Sequence, residues 1–261
     1  MNLLEESFAK AKSENRALLI GYLTAGFPNM QRCKSAIKAM IDGGVDVIEV
    51  GFPYSDPVMD GPVIQKASEQ ALLNGVGAKE VFEVVASSPV PTLVMSYWNP
   101  IERYGVYEFA RELKSVAGCG VITPDLTIEE SQDWIKATDE TKLDRVYVVA
   151  PSTKDSRLSQ VTRCCSGFVY AASLMGVTGT RTALSGEAQK LVSRVKEVSK
   201  TPVAVGLGVS NAQQANEIAQ YADGVIVGSA FIKLLLEIED ETEANERLAS
   251  LAKELAMAVR R

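Results

Sequence analysis

The sequence contains no histidine in 261 residues. Imidazole-based triads, proton shuttles and histidine-ligated metal sites are therefore excluded, and acid–base work falls to carboxylates and other side chains. A metal site would have to rest on carboxylates and thiols, and no suitable cluster of these is evident, so no metal is expected. Cysteine is also scarce. Cys33, Cys119, Cys164 and Cys165 form no C-x-x-C pair, and the adjacent Cys164 and Cys165 are badly spaced for a shared disulfide or zinc site. Four free thiols fit a reducing compartment. Positive charge is in deficit: the net charge of −6 argues against a polyanionic partner, so no nucleic acid is expected. No apolar run approaches the ~20 residues a membrane span needs. The opening MNLLEESFAKAKSENR is amphipathic, without the basic start and apolar core of a signal peptide. The expectation is a cytoplasmic protein, or a stromal one if processed in a plastid, with no membrane partner.

What is present is a repeating alternation. Eight short β-branched or apolar runs recur: Leu18–Leu23, Asp46–Gly51, Thr92–Ser96, Gly120–Thr123, Arg145–Ala150, Phe168–Ala172, Val203–Gly206 and Gly224–Val227. Helical periodicity lies between them, in Asn29–Asp42, Val106–Val116, Ile128–Thr138, Gly186–Val198, Ala212–Gln220 and Ser229–Arg260. The first of these ends at Gly43-Gly44, a helix stop. Alternating strands and helices imply βαβ crossovers and a parallel sheet. Eight units over this length predict an α/β fold, a single (β/α)8 TIM barrel domain spanning 1–261, with an extra N-terminal helix at Leu3–Asn15. An open doubly wound sheet would want a glycine-rich turn after its first strand, and Gly21-Tyr-Leu-Thr-Ala-Gly26 has the wrong spacing.

The run Gly44-Val-Asp-Val-Ile-Glu-Val-Gly-Phe-Pro-Tyr-Ser-Asp-Pro-Val-Met-Asp-Gly61 carries the chemistry. In its strand, Val47, Glu49 and Gly51 share one face while Ile48 and Val50 share the other. The outer face of a barrel must meet apolar helices, so Glu49 points inward. Catalytic groups in this architecture sit at the C-terminal ends of strands. A bland alternative pairs Glu49 with a buried cation, but no strand-end lysine or arginine is evident. Asp60 follows in a loop stiffened by Pro53 and Pro57. The turns Val205-Gly-Leu-Gly-Val-Ser-Asn211 and Gly224-Val-Ile-Val-Gly-Ser-Ala-Phe231 both lead into helices, where glycine backbone and free N–H groups suit a phosphate. The glycine-bounded segment Gly176–Gly186 suits a closing lid. Met95 and Tyr97, Ile122 and Pro124, and Phe168 and Tyr170 are pairs two residues apart that supply an apolar lining.

Together with Tyr22-Leu-Thr-Ala-Gly-Phe-Pro28, Gly61-Pro-Val-Ile-Gln65, Met95-Ser-Tyr-Trp-Asn-Pro100, Pro124-Asp-Leu126, Gly167-Phe-Val-Tyr170 and Gly176-Val-Thr-Gly179, these motifs closely resemble the tryptophan synthase α-subunit family over essentially the whole chain. The resemblance implies a lyase that cleaves indole-3-glycerol phosphate to indole and glyceraldehyde 3-phosphate in tryptophan biosynthesis. It implies no cofactor in this chain, and a β-subunit partner that carries pyridoxal phosphate in an α2β2 heterotetramer. By the family pattern, Glu49 is the general acid/base and Asp60 faces the indole N–H. Tyr22, Met95, Tyr97, Ile122 and Tyr170 would line the indole pocket. Gly179, Gly206, Gly208, Gly228 and Ser229 would hold the phosphate, and Thr178 would meet Asp60 when the lid closes.

The chain departs from the familiar pattern at Tyr54 (usually Phe), Met59 (Ala), Cys119 (often Asp) and Thr127 (Pro). The last two flank the fourth strand and are expected to bear on a partner-facing loop. Other readings on the same fold are a Schiff-base aldolase, a stand-alone lyase and a non-catalytic activating subunit. The first needs a desolvated lysine at a strand end, yet no predicted strand contains one, and Lys142 lies just before the fifth. The last is disfavoured by the presence of both Glu49 and Asp60.

Overall fold

The computed structural model describes residues 3–172, 181–206 and 208–261, with only the backbone described for 181–185. Strands β1 (Leu18–Thr24), β2 (Val47–Gly51), β3 (Thr92–Met95), β4 (Gly120–Thr123), β5 (Asp144–Val149), β6 (Val169–Ala172), β7 (Val203–Gly206) and β8 (Gly224–Val227) close into a barrel in sequence order. Every pairing is parallel, including the closing pair of β1 with β8. The helices are α1 (Leu3–Ser13), α2 (Met30–Asp42), α3 (Pro62–Leu73), α4 (Ala78–Ala86), α5 (Trp98–Tyr104), α6 (Val106–Ser115), α7 (Gln132–Thr141), α8 (Asp155–Cys164), α9 (Arg181–Val198), α10 (Ala212–Ala219), α11 (Ser229–Glu237) and α12 (Glu241–Ala258). Among the described residues, no helix is long and apolar enough to cross a membrane.

The barrel follows from strand parity. Inward residues Leu18, Ile20, Val47, Leu93, Ile122, Val146, Phe168, Ala204 and Ile226 form one buried apolar cluster. Their outward neighbours, such as Ile48, Val50, Val94 and Val121, belong to a second cluster shared with the helices. Two faces buried on both sides require near-continuous apolar strands, as in any parallel barrel. Helix α1 seals the N-terminal end: Leu4, Phe8 and Ala11 join the interior cluster, and Phe8 lies 5.8 Å from Phe168 between ring centroids. Access to the interior is left to the C-terminal mouth.

Local signals explain the helix ends. Asn29 caps α2, its side chain accepting the Arg32 N–H at 2.9 Å. The Gly43-Gly44 stop also makes room for α12, because a Cβ at Gly43 would stand 2.5 Å from the Ala249 carbonyl oxygen. The periodic run Ser229–Arg260 is two helices rather than one. Ile238 turns extended, and Asp240 begins α12 by accepting the Glu243 N–H at 2.8 Å. A short acidic side chain that bonds the backbone three residues on offers a better start than a continuation through Ile238. Helix α7 opens at Gln132, four residues after the periodicity suggests, because Ser131 closes a turn on Ile128. Helices α3, α4, α5 and α8 are additional to those read from periodicity. Cys119 lies at the N-terminal end of β4, its thiol bonded to the Thr92 carbonyl at 3.1 Å. It belongs to the floor of the barrel, so of the two departures around β4 only Thr127 is on the mouth side.

Candidate active site

Glu49 stands on the inward face of β2, in register with Tyr22 on β1 and Leu93 on β3. It is only 1% exposed, and its Oε2 has no hydrogen-bond partner. Among the described residues, no cation lines the cavity beside it. Burial, reinforced by the charge of Asp60, pushes its carboxyl up to about 8. The neutral acid is therefore the resting form at neutral pH.

Asp60 lies in the loop between β2 and α3, half-buried at the mouth. Burial lifts it to about 6, against the opposing pull of the Tyr97 hydroxyl. The loop is tied down on both sides. The Gln65 side-chain amide donates to the Asp60 carbonyl at 2.8 Å, and the Met59 N–H donates to the Tyr97 hydroxyl at 3.0 Å. The rings of Tyr54 and Tyr97 lie 5.2 Å apart, inclined by 31°. Two carboxyl groups thus share one mouth with ionisations set apart by their surroundings, the arrangement that separates acid from base roles.

These groups open onto a cavity of about 530 Å³ at the C-terminal mouth. It is lined by Tyr22, Glu49, Asp60, Met95, Tyr170, Gly206, Gly208, Gly228 and Ser229, all of them sites expected from the sequence. The volume suits a small ligand. Tyr22 and Tyr170 are held neutral by burial, with the Glu49 and Asp60 charges pushing the same way. The Tyr22 hydroxyl shares a hydrogen bond with Thr24 Oγ1 at 3.3 Å. Ile122 is fully buried in the interior cluster and supports the floor beneath the lining. Tyr97 reaches the site through its hydroxyl on the Asp60 loop. Thr178 and Gly179 lie outside the described residues with the rest of 176–180, and only the backbone of 181–185 is described. Met59, Pro62, Val63, Ile64, Val148, Ala172 and Ile226, none of them expected in the lining from the sequence, also contribute to the apolar wall. Inward parity would have found Val148 from Val146 and Ala172 from Tyr170.

The glycines have a double use. A Cβ at Gly206 would stand 2.2 Å from the Tyr170 hydroxyl, and one at Gly51 would stand 2.1 Å from that of Tyr22. Gly208 adopts φ +66°, a left-handed backbone that favours glycine. Gly228 is the N-cap of α11 and Ser229 its first residue. The Gly228 carbonyl already accepts the Phe231 N–H at 3.0 Å. The amides of Ser229 and Ala230 then belong to the first turn, whose N–H groups have no partner within the helix and attract an anion. Among the described residues, no group of three or more His, Cys, Asp or Glu side chains could hold a metal ion.

Comparison with known proteins agrees with this geometry. The profile of the family described as tryptophan synthase alpha chain matches residues 8–260. The chain is 54% identical to the tryptophan synthase alpha chain of Streptomyces avermitilis, over 99% of this chain and 95% of that one. It is 51% identical to that of Thermobifida fusca, over 100% and 98%. Among solved structures, tryptophan synthase from M. tuberculosis in its aminoacrylate-bound form aligns with a TM-score of 0.90 at 46% identity, covering all of both chains. The tryptophan synthase alpha chain of Legionella pneumophila aligns with a TM-score of 0.88 at 29% identity, covering 99% of this chain and 97% of that one. With the barrel, the paired carboxylates and a profile match over nearly its whole length, the chain belongs to the tryptophan synthase alpha chain family.

Proposed function

We propose that Glu49 and Asp60 carry the reaction of this family, the retro-aldol cleavage of indole-3-glycerol phosphate to indole and glyceraldehyde 3-phosphate. The observation that supports it most is an uncompensated carboxyl, buried on the barrel interior beside a second that ionises more readily. Breaking a bond to an aromatic carbon first requires protonation of that carbon, which places positive charge on the ring nitrogen. Neutral Glu49 donates this proton to indole C3. Ionised Asp60 faces the ring N–H and stabilises the cation. Glu49, now a carboxylate, takes the proton of the adjacent glycerol hydroxyl as the carbon–carbon bond breaks. The bonding pair returns to the ring and restores aromaticity, and the hydroxyl carbon leaves as the aldehyde. One group serves as acid and then as base, so its ionisation near neutrality suits both steps.

Met95, Tyr22 and Tyr170 offer the apolar wall for the indole, and Gly206, Gly208, Gly228 and Ser229 the phosphate cradle. Gly228 allows the cleaner test of that cradle, because a Cβ there would approach the Tyr22 ring at 3.1 Å, whereas one at Gly206 would displace Tyr170. Gly228→Ala is expected to raise KM for the phosphorylated substrate roughly tenfold with a smaller change in kcat, the signature of lost uniform binding. An unchanged KM would move the phosphate elsewhere.

Pyridoxal phosphate, expected from the family, is proposed to belong to a β-subunit partner, and the described lining residues include no lysine for a Schiff base. The loop beside the catalytic groups presents Val58 at 77% and Met59 at 41% exposure, apolar surface that supports a protein contact at the mouth. A partner seated there acts on Asp60 directly. Indole release from the isolated chain is expected to be weak, and to rise on adding the β-subunit as an α2β2 complex forms. Linkage makes the effect reciprocal, so a phosphorylated substrate analogue should tighten the α–β association. Titration calorimetry with and without the analogue reads this directly. Equal affinities would mean that the mouth and the interface are uncoupled, and full activity without the partner would favour a stand-alone lyase.

A further inference from the structure

We infer that Tyr97 is a positioning residue for Asp60: its hydroxyl holds the 58–60 turn against the barrel mouth and supplies a hydrogen-bond donor to the Asp60 carboxylate. The inference rests on the catalytic reading of Asp60 given above. Tyr97 is the residue before α5 and is buried, at 4% exposure. Its backbone is fixed from a third strand. The following amide, Trp98 N–H, donates to both carboxylate oxygens of Asp125, at 2.9 and 3.1 Å, in the loop after β4. Its ring packs on Tyr54 at the near end of the loop, and its oxygen accepts the Met59 N–H at 3.0 Å at the far end. With that acceptor site filled from the loop backbone, the phenolic proton remains for the neighbouring carboxylate.

The ionisation pattern agrees. The Tyr97 hydroxyl is pushed up to about 12, chiefly by burial, so it keeps its proton and remains a donor across the working range. On Asp60 its effect is downward, and among the described residues it is the one influence opposing burial. The other titratable groups facing Asp60 are Glu49 on β2, Tyr22 on β1 and Tyr170 on β6. None is a cation. A hydrogen bond to the charged form is then what separates an ionised Asp60 from one protonated by burial.

The test is the pH dependence of kcat/KM for indole release over about pH 5 to 9, for the wild type, Tyr97→Phe and Asp60→Asn. Phenylalanine keeps the ring and its packing on Tyr54, so the variant isolates the hydroxyl. The acid limb of Tyr97→Phe is expected to move upward by roughly one pH unit, so that its deficit is about fivefold near pH 6, approaches tenfold at lower pH and shrinks as pH rises. Asp60→Asn is expected to be nearly inactive at every pH. An unmoved limb in Tyr97→Phe, alongside an inactive Asp60→Asn, overturns the positioning role and leaves Asp60 in place. A deficit that is uniform across pH does the same, since a merely structural defect has no reason to titrate. An Asp60→Asn variant with wild-type activity overturns the reading of the site itself.

Discussion

Glu49→Gln is expected to abolish indole release while making the protein more stable at neutral pH. The two effects have one cause. General acid–base groups typically contribute about 10²–10⁴-fold, and Glu49 is proposed to act twice in a turnover, so a loss at the upper end is expected. Its folded-state ionisation lies near 8, well above the ordinary value of 4.5, because the carboxyl is buried and Asp60 is close. A carboxyl whose folded value is raised binds its proton more tightly in the folded protein, so stability falls as pH rises from about 4.5 to 8. Glutamine has the shape of the neutral acid and no charge to desolvate. The variant should therefore gain roughly 1–3 kcal/mol at pH 7, with the advantage vanishing below about pH 4.5. Denaturant unfolding at the two pH values, beside an indole assay, reads both. A variant that keeps a tenth of wild-type activity, or is less stable at neutral pH, contradicts the role.

Asp60→Asn is expected to cost about 10²–10³-fold in kcat with KM for the phosphorylated substrate nearly unchanged. Asparagine can still accept a hydrogen bond from the indole N–H but offers no negative charge to the ring cation. The charge develops only in the transition state, so its loss falls on kcat. The residues proposed to cradle the phosphate follow or end β7 and β8 and begin α11, remote in sequence from the 53–61 loop, so ground-state binding should survive. A variant whose KM rises while kcat holds would make Asp60 a binding group and remove it from the chemistry.

Much of this site can be read from strand parity. Each of the eight strand-like runs agrees with the structure to within one residue at either end, because a parallel barrel buries both faces and leaves long apolar signals. The same alternation places Glu49 inside, since Ile48 and Val50 must meet helices. Less is legible where packing rather than period decides. Helix α5 has seven residues, too few to show a repeat, and α3 starts at Pro62 behind a glycine that caps without a side chain. The break between α11 and α12 is signalled by Asp240 alone. Tyr97 shows the limit for function. Its place two residues past Met95 suggests a lining ring, and only the folded loop reveals that its hydroxyl grips Met59. The expected roles of Thr178 and Gly179 fall on residues outside those described.

The proposed reaction needs Glu49 protonated and Asp60 ionised at the same moment. The pH profile of kcat/KM for indole release by the wild-type protein tests it most directly. With Asp60 near 6 and Glu49 near 8, the expected profile is a bell whose limbs fall close to those values and belong to the coupled pair. A rate that stayed level from about pH 5 to 9 would contradict the assignment of both carboxyl groups.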